Sequence, residues 1–166
     1  MLSVSVELLA DHPHLVLEAG ELRWTEWGYD DPSPDEWIAT TRQEAGRDHL
    51  PVTLVAIDKR SSVVGVVGLD VSDDALTEDE RMSRTPWLVG LVVRRRSRRR
   101  DVGRTLVRAL EDLARSRGHD RVWVVTGGGA TDFYRACGWT DAERLITAKE
   151  RLPSTVLTRA LPERGP

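Results

Sequence analysis

Apolar residues recur along this chain in two periods, and each period predicts its own elements. Residues 3–9, Ser3-Val4-Ser5-Val6-Glu7-Leu8-Leu9, alternate and predict a first strand. Residues 15–22 have the spacing of a short helix, entered through Asp11-His12-Pro13-His14. Ser33 and Glu36 make a capping box with Pro34 at the first helical position, so a second helix is expected over residues 34–45. Residues 52–57 and 63–71 are apolar on both faces. Joined by Asp58-Lys59-Arg60-Ser61-Ser62, they predict an antiparallel hairpin in mid-sheet. Residues 72–84 are acidic and carry no apolar period, which predicts a loop. A strand over residues 86–93 then runs through a very basic segment into a helix. The apolar face of that helix is Val102, Leu106, Ala109, Leu110, Leu113 and Ala114, with Arg108, Glu111, Asp112 and Arg115 turned away. Gly118 ends it as a left-handed cap, and residues 121–126 form another buried strand. Strand, helix and strand make a crossover unit, so these two strands should be parallel. Gly127-Gly128-Gly129-Ala130 is a flexible link. Thr131 caps a short helix over residues 132–137, closed by Gly138, and residues 139–145 and 155–161 read as closing strands.

This order predicts an α/β (α+β) fold, organised as a single domain over residues 1–161 with a tail at 162–166. At 166 residues and 40% hydrophobic content the chain can bury a core without staples. The single Cys137 excludes an intramolecular disulfide framework, and no Cys/His spacing matches a zinc site, so no metal is expected. His12 and His14 flank a proline and are read as a surface turn. No window reaches the ~20 apolar residues of a membrane span, and the first residues do not have the form of a signal peptide. A cytoplasmic protein with no membrane partner is expected.

Charge changes the picture more than composition does. The net −3 conceals −11 over residues 1–90 and +8 over residues 91–166, with eight arginines between Arg94 and Arg108. So compact a basic segment, on a chain whose first half is acidic, suits one small anion better than a long polyanion. At a strand-to-helix junction, backbone N–H groups and the positive end of a helix dipole converge where a phosphate would be held. A solvated surface turn is the alternative for the arginines. In the acidic half, Trp24, Trp27, Tyr29 and Trp37 stand among carboxylates. They either plug the core or form a wall for a cationic acceptor, Trp27 and Tyr29 being the candidate substrate residues.

Two segments carry a family resemblance. Arg98-Arg99-Arg100-Asp101-Val102-Gly103 resembles the Gln/Arg-x-x-Gly-x-Gly/Ala loop of the GNAT superfamily of acyl-CoA N-acyltransferases at its first and last positions. Phe133-Tyr134-Arg135-Ala136-Cys137-Gly138-Trp139 resembles the family's aromatic-Tyr-x-x-x-Gly-aromatic helix throughout. Trp27-Gly28-Tyr29 and Thr85-Pro86-Trp87-Leu88 are similar to a broad bacterial branch of small, single-domain members. The resemblance spans nearly the whole chain. It implies a mixed, mostly antiparallel sheet of six to seven strands with a central parallel pair and flanking helices.

It also implies an acyl-CoA-dependent N-acetyltransferase with acetyl-CoA as cosubstrate, acting on a primary amine of a small molecule or peptide by direct attack. Backbone groups of Leu91, Val92 and Val93 would pair with the pantetheine arm. Arg98, Arg99, Arg100, Asp101, Val102, Gly103 and Arg104 would hold the pyrophosphate. Tyr134 would protonate the leaving sulfur as general acid, or else only pack against the cofactor. Asp101 departs from the family, standing where a glycine is preferred; it is expected to turn outward and pair with one of Arg98, Arg99 or Arg100. No carboxylate on the strands at residues 87–93 or 122–125 offers a base, which leaves Asp70, an acid of residues 73–80, or water. Two other functions stay open: a catalytically weak, CoA-binding sensor, and a nucleic-acid (tRNA) docking module using the Arg94 to Arg100 patch, although the acidic first half argues against nucleic acid. A homodimer is left open.

Overall fold

The computed structural model describes residues 3–163. In chain order the elements are β1 (Ser5–Leu8), α1 (Val16–Trp27), α2 (Asp35–Gln43), β2 (Val52–Ile57), β3 (Val63–Asp70), α3 (Glu78–Arg81), β4 (Trp87–Val93), α4 (Val102–Ser116), β5 (Arg121–Thr126), α5 (Ala130–Ala136), β6 (Thr140–Ile146) and β7 (Pro153–Ala160). Short 3₁₀ turns occupy Leu9–Asp11, Pro13–Leu15 and Arg95–Ser97. The seven strands form a sheet in the order β1-β2-β3-β4-β5-β7-β6. Its recorded pairings are antiparallel except β4 with β5, which run parallel with Trp87 opposite Trp123. The parallel crossover is the one expected from strand, helix and strand.

Two compact units divide the chain, and β4 and α4 pass from one to the other. Unit one comprises residues up to Leu69 together with Gly90–Leu110. Its core packs Leu15, Val16, Ala19 and Leu22 against Val55, Val63, Val66 and Val92. β2 and β3 are buried over almost their full lengths, as their two-faced apolar runs require. In the hairpin between them, the Asp58 carboxylate accepts from the N–H groups of Arg60 and Ser62 at 2.9 Å each.

α1 runs on to Trp27 instead of stopping near residue 22, so Trp24 and Trp27 are helical and not in a loop. The period is disguised by Arg23, which takes a core-facing position at 5% exposure. Its Nη1 donates to Thr41 Oγ1 at 3.1 Å and lies 3.4 Å from a Glu44 carboxylate oxygen, tying α1 to α2. Burial lowers the Arg23 pKa, and Glu44 partly offsets that. α2 starts at Asp35, one residue later than expected. Ser33 Oγ accepts from Asp35 N at 3.2 Å, but the capping box with Glu36 does not form because the helix start is shifted past it.

Unit two comprises Asp70–Val89 and the residues from Glu111 onward. Its core joins Leu76, Trp87 and Val156, with Val89, Trp123, Val125 and Leu145 packed around them. The expected loop over residues 72–84 contains α3, opened by a complete Thr77–Glu80 capping box and anchored by fully buried Leu76. One buried residue shows no period, so only the cap was readable. Thr131 lies inside the first turn of α5 and is buried; Gly129 precedes the helix instead. Gly118 and Gly138 adopt the left-handed φ values, +87° and +92°, expected of helix-terminating glycines. Glu111, expected on the solvent side of α4, is 6% exposed because its carboxylate accepts from Arg159 Nε at 2.8 Å. Among the described residues no helix is long and apolar enough to cross a membrane.

Candidate functional site

In unit one, β4 hands the chain to the basic segment through a set of fixed contacts. Arg94 N donates to Val64 O at 2.7 Å. The Arg94 guanidinium donates twice to Val63 O, at 3.1 and 2.9 Å, and lies 3.6 Å from a Glu18 oxygen. The first arginine of the run is therefore part of the scaffold. Arg98 Nε donates to Val93 O at 2.9 Å, and its Nη2 donates to Glu26 Oε2 at 2.8 Å. A groove of about 300 Å³ opens here, lined by Leu22, Thr25 and Glu26 of α1 and by Val92, Val93, Arg94, Arg95, Arg96 and Arg98.

Beyond Arg98 the backbone turns sharply: Arg99 and Asp101 have φ of +61° and +62°. Asp101 is exposed and makes no ion pair among the described residues, contrary to the expected pairing with a neighbouring arginine. It occupies the left-handed conformation that a glycine would take, which aspartate tolerates better than most side chains. Its carbonyl accepts from Thr105 N at 2.9 Å and Thr105 Oγ1 at 2.8 Å, fixing the first turn of α4. α4 begins at Val102, so the backbone N–H groups of its opening turn have no acceptor within the helix. A strand end, an arginine-lined groove and the opening turn of a helix fit a diphosphate in charge.

Of the expected donor-binding residues, Val92, Val93 and Arg98 line the groove. Leu91, Gly103 and Arg104 are half-buried outside its lining, and Arg99 and Arg100 are exposed. Val102 is 1% exposed, so it has only its backbone to offer a ligand. The α1 residues Leu22, Thr25 and Glu26 had no signal in the sequence, because nothing in a helical pattern says which loop its last turn will meet.

Trp27 and Trp37 stack at 6.5 Å between ring centroids with 20° between planes. Trp37 Nε1 donates to Asp31 Oδ2 at 2.6 Å, and Trp24 Nε1 to Asp31 O at 3.1 Å. Trp27 is 38% exposed and Tyr29 80%, so neither serves as core filling. Glu26, Asp30, Asp31, Asp35 and Glu36 surround this wall in sequence.

In unit two, Tyr134 sits on α5 at 4% exposure, in edge contact with Phe133 at 5.2 Å and tilted against Trp139 at 5.5 Å. Its hydroxyl bonds no described residue, yet it is not among the fully enclosed polar atoms. Burial, then the nearby Cys137 and Asp73, push the phenol pKa well above its ordinary value. The group therefore stays protonated at neutral pH and keeps an O–H to donate. Asp73 and Asp70 both have raised pKa values, with burial the main cause. The Asp73 carboxylate accepts from Ala75 N at 2.8 Å. An open hollow of about 580 Å³ lies among Gly127, Gly128, Thr131 and the β6–β7 hairpin. Among the described residues no group of His, Cys, Asp and Glu could hold a metal ion.

Residues 16–139 match the acetyltransferase (GNAT) family profile. Solved structures are similar over nearly the full length. An aminoglycoside 6'-N-acetyltransferase complexed with coenzyme A aligns with a TM-score of 0.76 and 17% identity, covering 98% of this chain and 99% of that one. The aminoglycoside 6'-acetyltransferase type Ii gives 0.75 and 18%, covering 97% and 99%. The aminoglycoside 6'-N-acetyltransferase from Enterococcus faecium gives 0.73 and 17%, covering 98% and 99%. At such identities the likeness is one of fold. No curated protein sequence matches the chain significantly.

Proposed function

Because this chain belongs to the acetyltransferase (GNAT) family, we propose that it transfers an acetyl group from acetyl-CoA to a primary amine of a small cationic acceptor. The observation that carries this is the family match over residues 16–139, which takes in both the basic loop and the Tyr134 helix. The acceptor class is supported by the exposed Trp27–Trp37 stack among carboxylates, since an ammonium is favoured by ring faces and by nearby negative charge. Aminoglycoside acetyltransferases among the structural neighbours are consistent with a small polyamine of that kind.

On the donor side, backbone N–H groups at the start of α4 and the arginines of the groove hold the diphosphate, and backbone groups of Leu91, Val92 and Val93 pair with the pantetheine arm. Acetyl-CoA supplies an activated thioester carbonyl. The neutral amine of the acceptor forms the new C–N bond there, and the C–S bond breaks. Tyr134 donates its O–H to the departing sulfur, acting as general acid. A phenol is already a weaker acid than a thiol and burial weakens it further, so it helps chiefly as a hydrogen-bond donor to developing negative charge, and any phenolate formed is reprotonated at once. The amine's own proton passes to water or to a carboxylate such as Asp73 or Asp70, whose raised pKa values make them better bases than ordinary aspartates.

Acetyl-CoA with a panel of aminoglycosides, polyamines and peptide amines, followed by thiol release and by thermal shift, tests the proposal. Turnover with a polycationic amine is the expected result. No thermal shift with any acyl-CoA would overturn it, and a shift with no turnover across the panel would favour a CoA sensor. Nucleic-acid docking is disfavoured because the first 90 residues carry a net charge of −11 and Arg94 is engaged by Val63 and Glu18.

A further inference from the structure

The basic groove of unit one already holds a carboxylate of the chain itself. Glu26, in the last turn of α1, lies 2.8 Å from Arg98 Nη2, and the two side chains are 38% and 42% exposed. Among the described residues lining the groove, Glu26 is the one acid beside four arginines. Arg98 also opens the turn that leads into α4. An anion entering the groove thus meets an arginine that is neutralised in advance. Glu26 has a second neighbourhood, because Trp27 of the exposed stack is the next residue and Trp24 is half a turn before it on the same helix.

We infer that Glu26 is a counter-ion which a phosphate of the donor displaces from Arg98, and that the carboxylate so released adds its negative charge to the acceptor wall at Trp27. This rests on taking the basic loop as the diphosphate grip. No covalent step is involved: one charge-assisted hydrogen bond on Arg98 is exchanged for another. A half-exposed ion pair is weakly held, so a diphosphate, with two negative charges in all, can replace the single carboxylate. The pair therefore selects for highly charged donors. Once Arg98 is taken, the charge of Glu26 stands uncompensated beside Trp27 and the acids Asp30 and Asp31. A cationic acceptor is then bound more tightly in the donor-loaded chain than in the free one, and by linkage it tightens the donor by the same factor.

Calorimetric titration with CoA tests the displacement, using wild type, Glu26→Gln, which keeps the shape and removes the charge, and Glu26→Asp, which keeps the charge. Glu26→Gln should bind CoA about three-fold tighter at low ionic strength, with the gap closing near ~0.5 M salt. Glu26→Asp should stay close to wild type. Quenching of tryptophan fluorescence by iodide, relative to neutral acrylamide, reads the charge at exposed Trp27. CoA should lower the iodide-to-acrylamide ratio more in wild type than in Glu26→Gln. Equal or weaker CoA binding by a folded Glu26→Gln, checked by its thermal melt, would overturn the displacement while leaving the donor site intact. If neither wild type nor variant binds CoA, the diphosphate grip itself is wrong.

Discussion

Tyr134 and Asp101 carry the clearest single-residue tests. Tyr134 is buried, its hydroxyl bonds no described residue, and its pKa is raised. Removing only the hydroxyl, in Tyr134→Phe, should lower turnover about 10- to 100-fold and leave KM for acetyl-CoA within about two-fold, measured by thiol release at saturating acceptor. Unchanged turnover would mean that the ring only packs. Asp101 teaches a different lesson. Its departure from the family pattern looked like a charge problem, with a carboxylate placed against a phosphate. In the fold it is a backbone matter, since Asp101 takes φ of +62° as a glycine would, with its side chain exposed. Asp101→Gly should therefore leave CoA affinity equal or tighter by calorimetry, and a large loss would show that the carboxylate itself serves. The left-handed turn could not be read from Arg98-Arg99-Arg100-Asp101, because no residue there has a conformational preference strong enough to announce it.

Among the elements, α1 departs furthest from its sequence pattern and shapes the acceptor side most. The apolar stripe of the sequence ends near Leu22, but Arg23 continues it as a buried guanidinium held by Thr41 and Glu44. The helix consequently carries Trp24, Glu26 and Trp27 to its end. Gly28 closes it at a point where a Cβ would run into Trp24 Cδ1 and stand 2.8 Å from Trp37 Nε1. Gly28→Ala should thus push the two rings apart and weaken the Trp37–Asp31 bond. The expected cost is about 1–3 kcal/mol of stability, seen as a lower Tm and an altered near-ultraviolet circular dichroism, with poorer use of cationic acceptors. An unchanged near-ultraviolet spectrum would show that the rings yield without cost. β2, β3, β5 and α4 were placed within a few residues, because buried residues run through β2 and β3, alternate in β5 and recur at helical spacing in α4. α3 is too short to have one.

At the scale of the whole molecule, the burial of an acid in unit two has a thermodynamic consequence. Asp73 lies in unit two with Asp74, Glu150 and Asp70 acting on it, and burial raises its pKa above the ordinary carboxylate value. The folded state thus binds the Asp73 proton more tightly than the unfolded state does. This contribution favours folding below the ordinary carboxylate range and is lost as pH rises through the folded pKa. Asp73→Asn should accordingly raise Tm at pH 7 and do so less near pH 4; the reverse order in a melting series would refute the assignment. The sequence by itself determined the order of the strands and of every helix but α3, the parallel crossover, the basic junction before α4 and the aromatic-Tyr-x-x-x-Gly-aromatic helix. Those features follow from local periods and short motifs, which neighbouring residues encode. Only the tertiary structure decided that Arg94 is scaffold, that Arg98 is paired to Glu26 from 72 residues away in the chain, that Asp101 stands in for a glycine, and that Glu111 is buried against Arg159. Each of these depends on which distant side chain or backbone group arrives at the same place, and no local pattern carries that information.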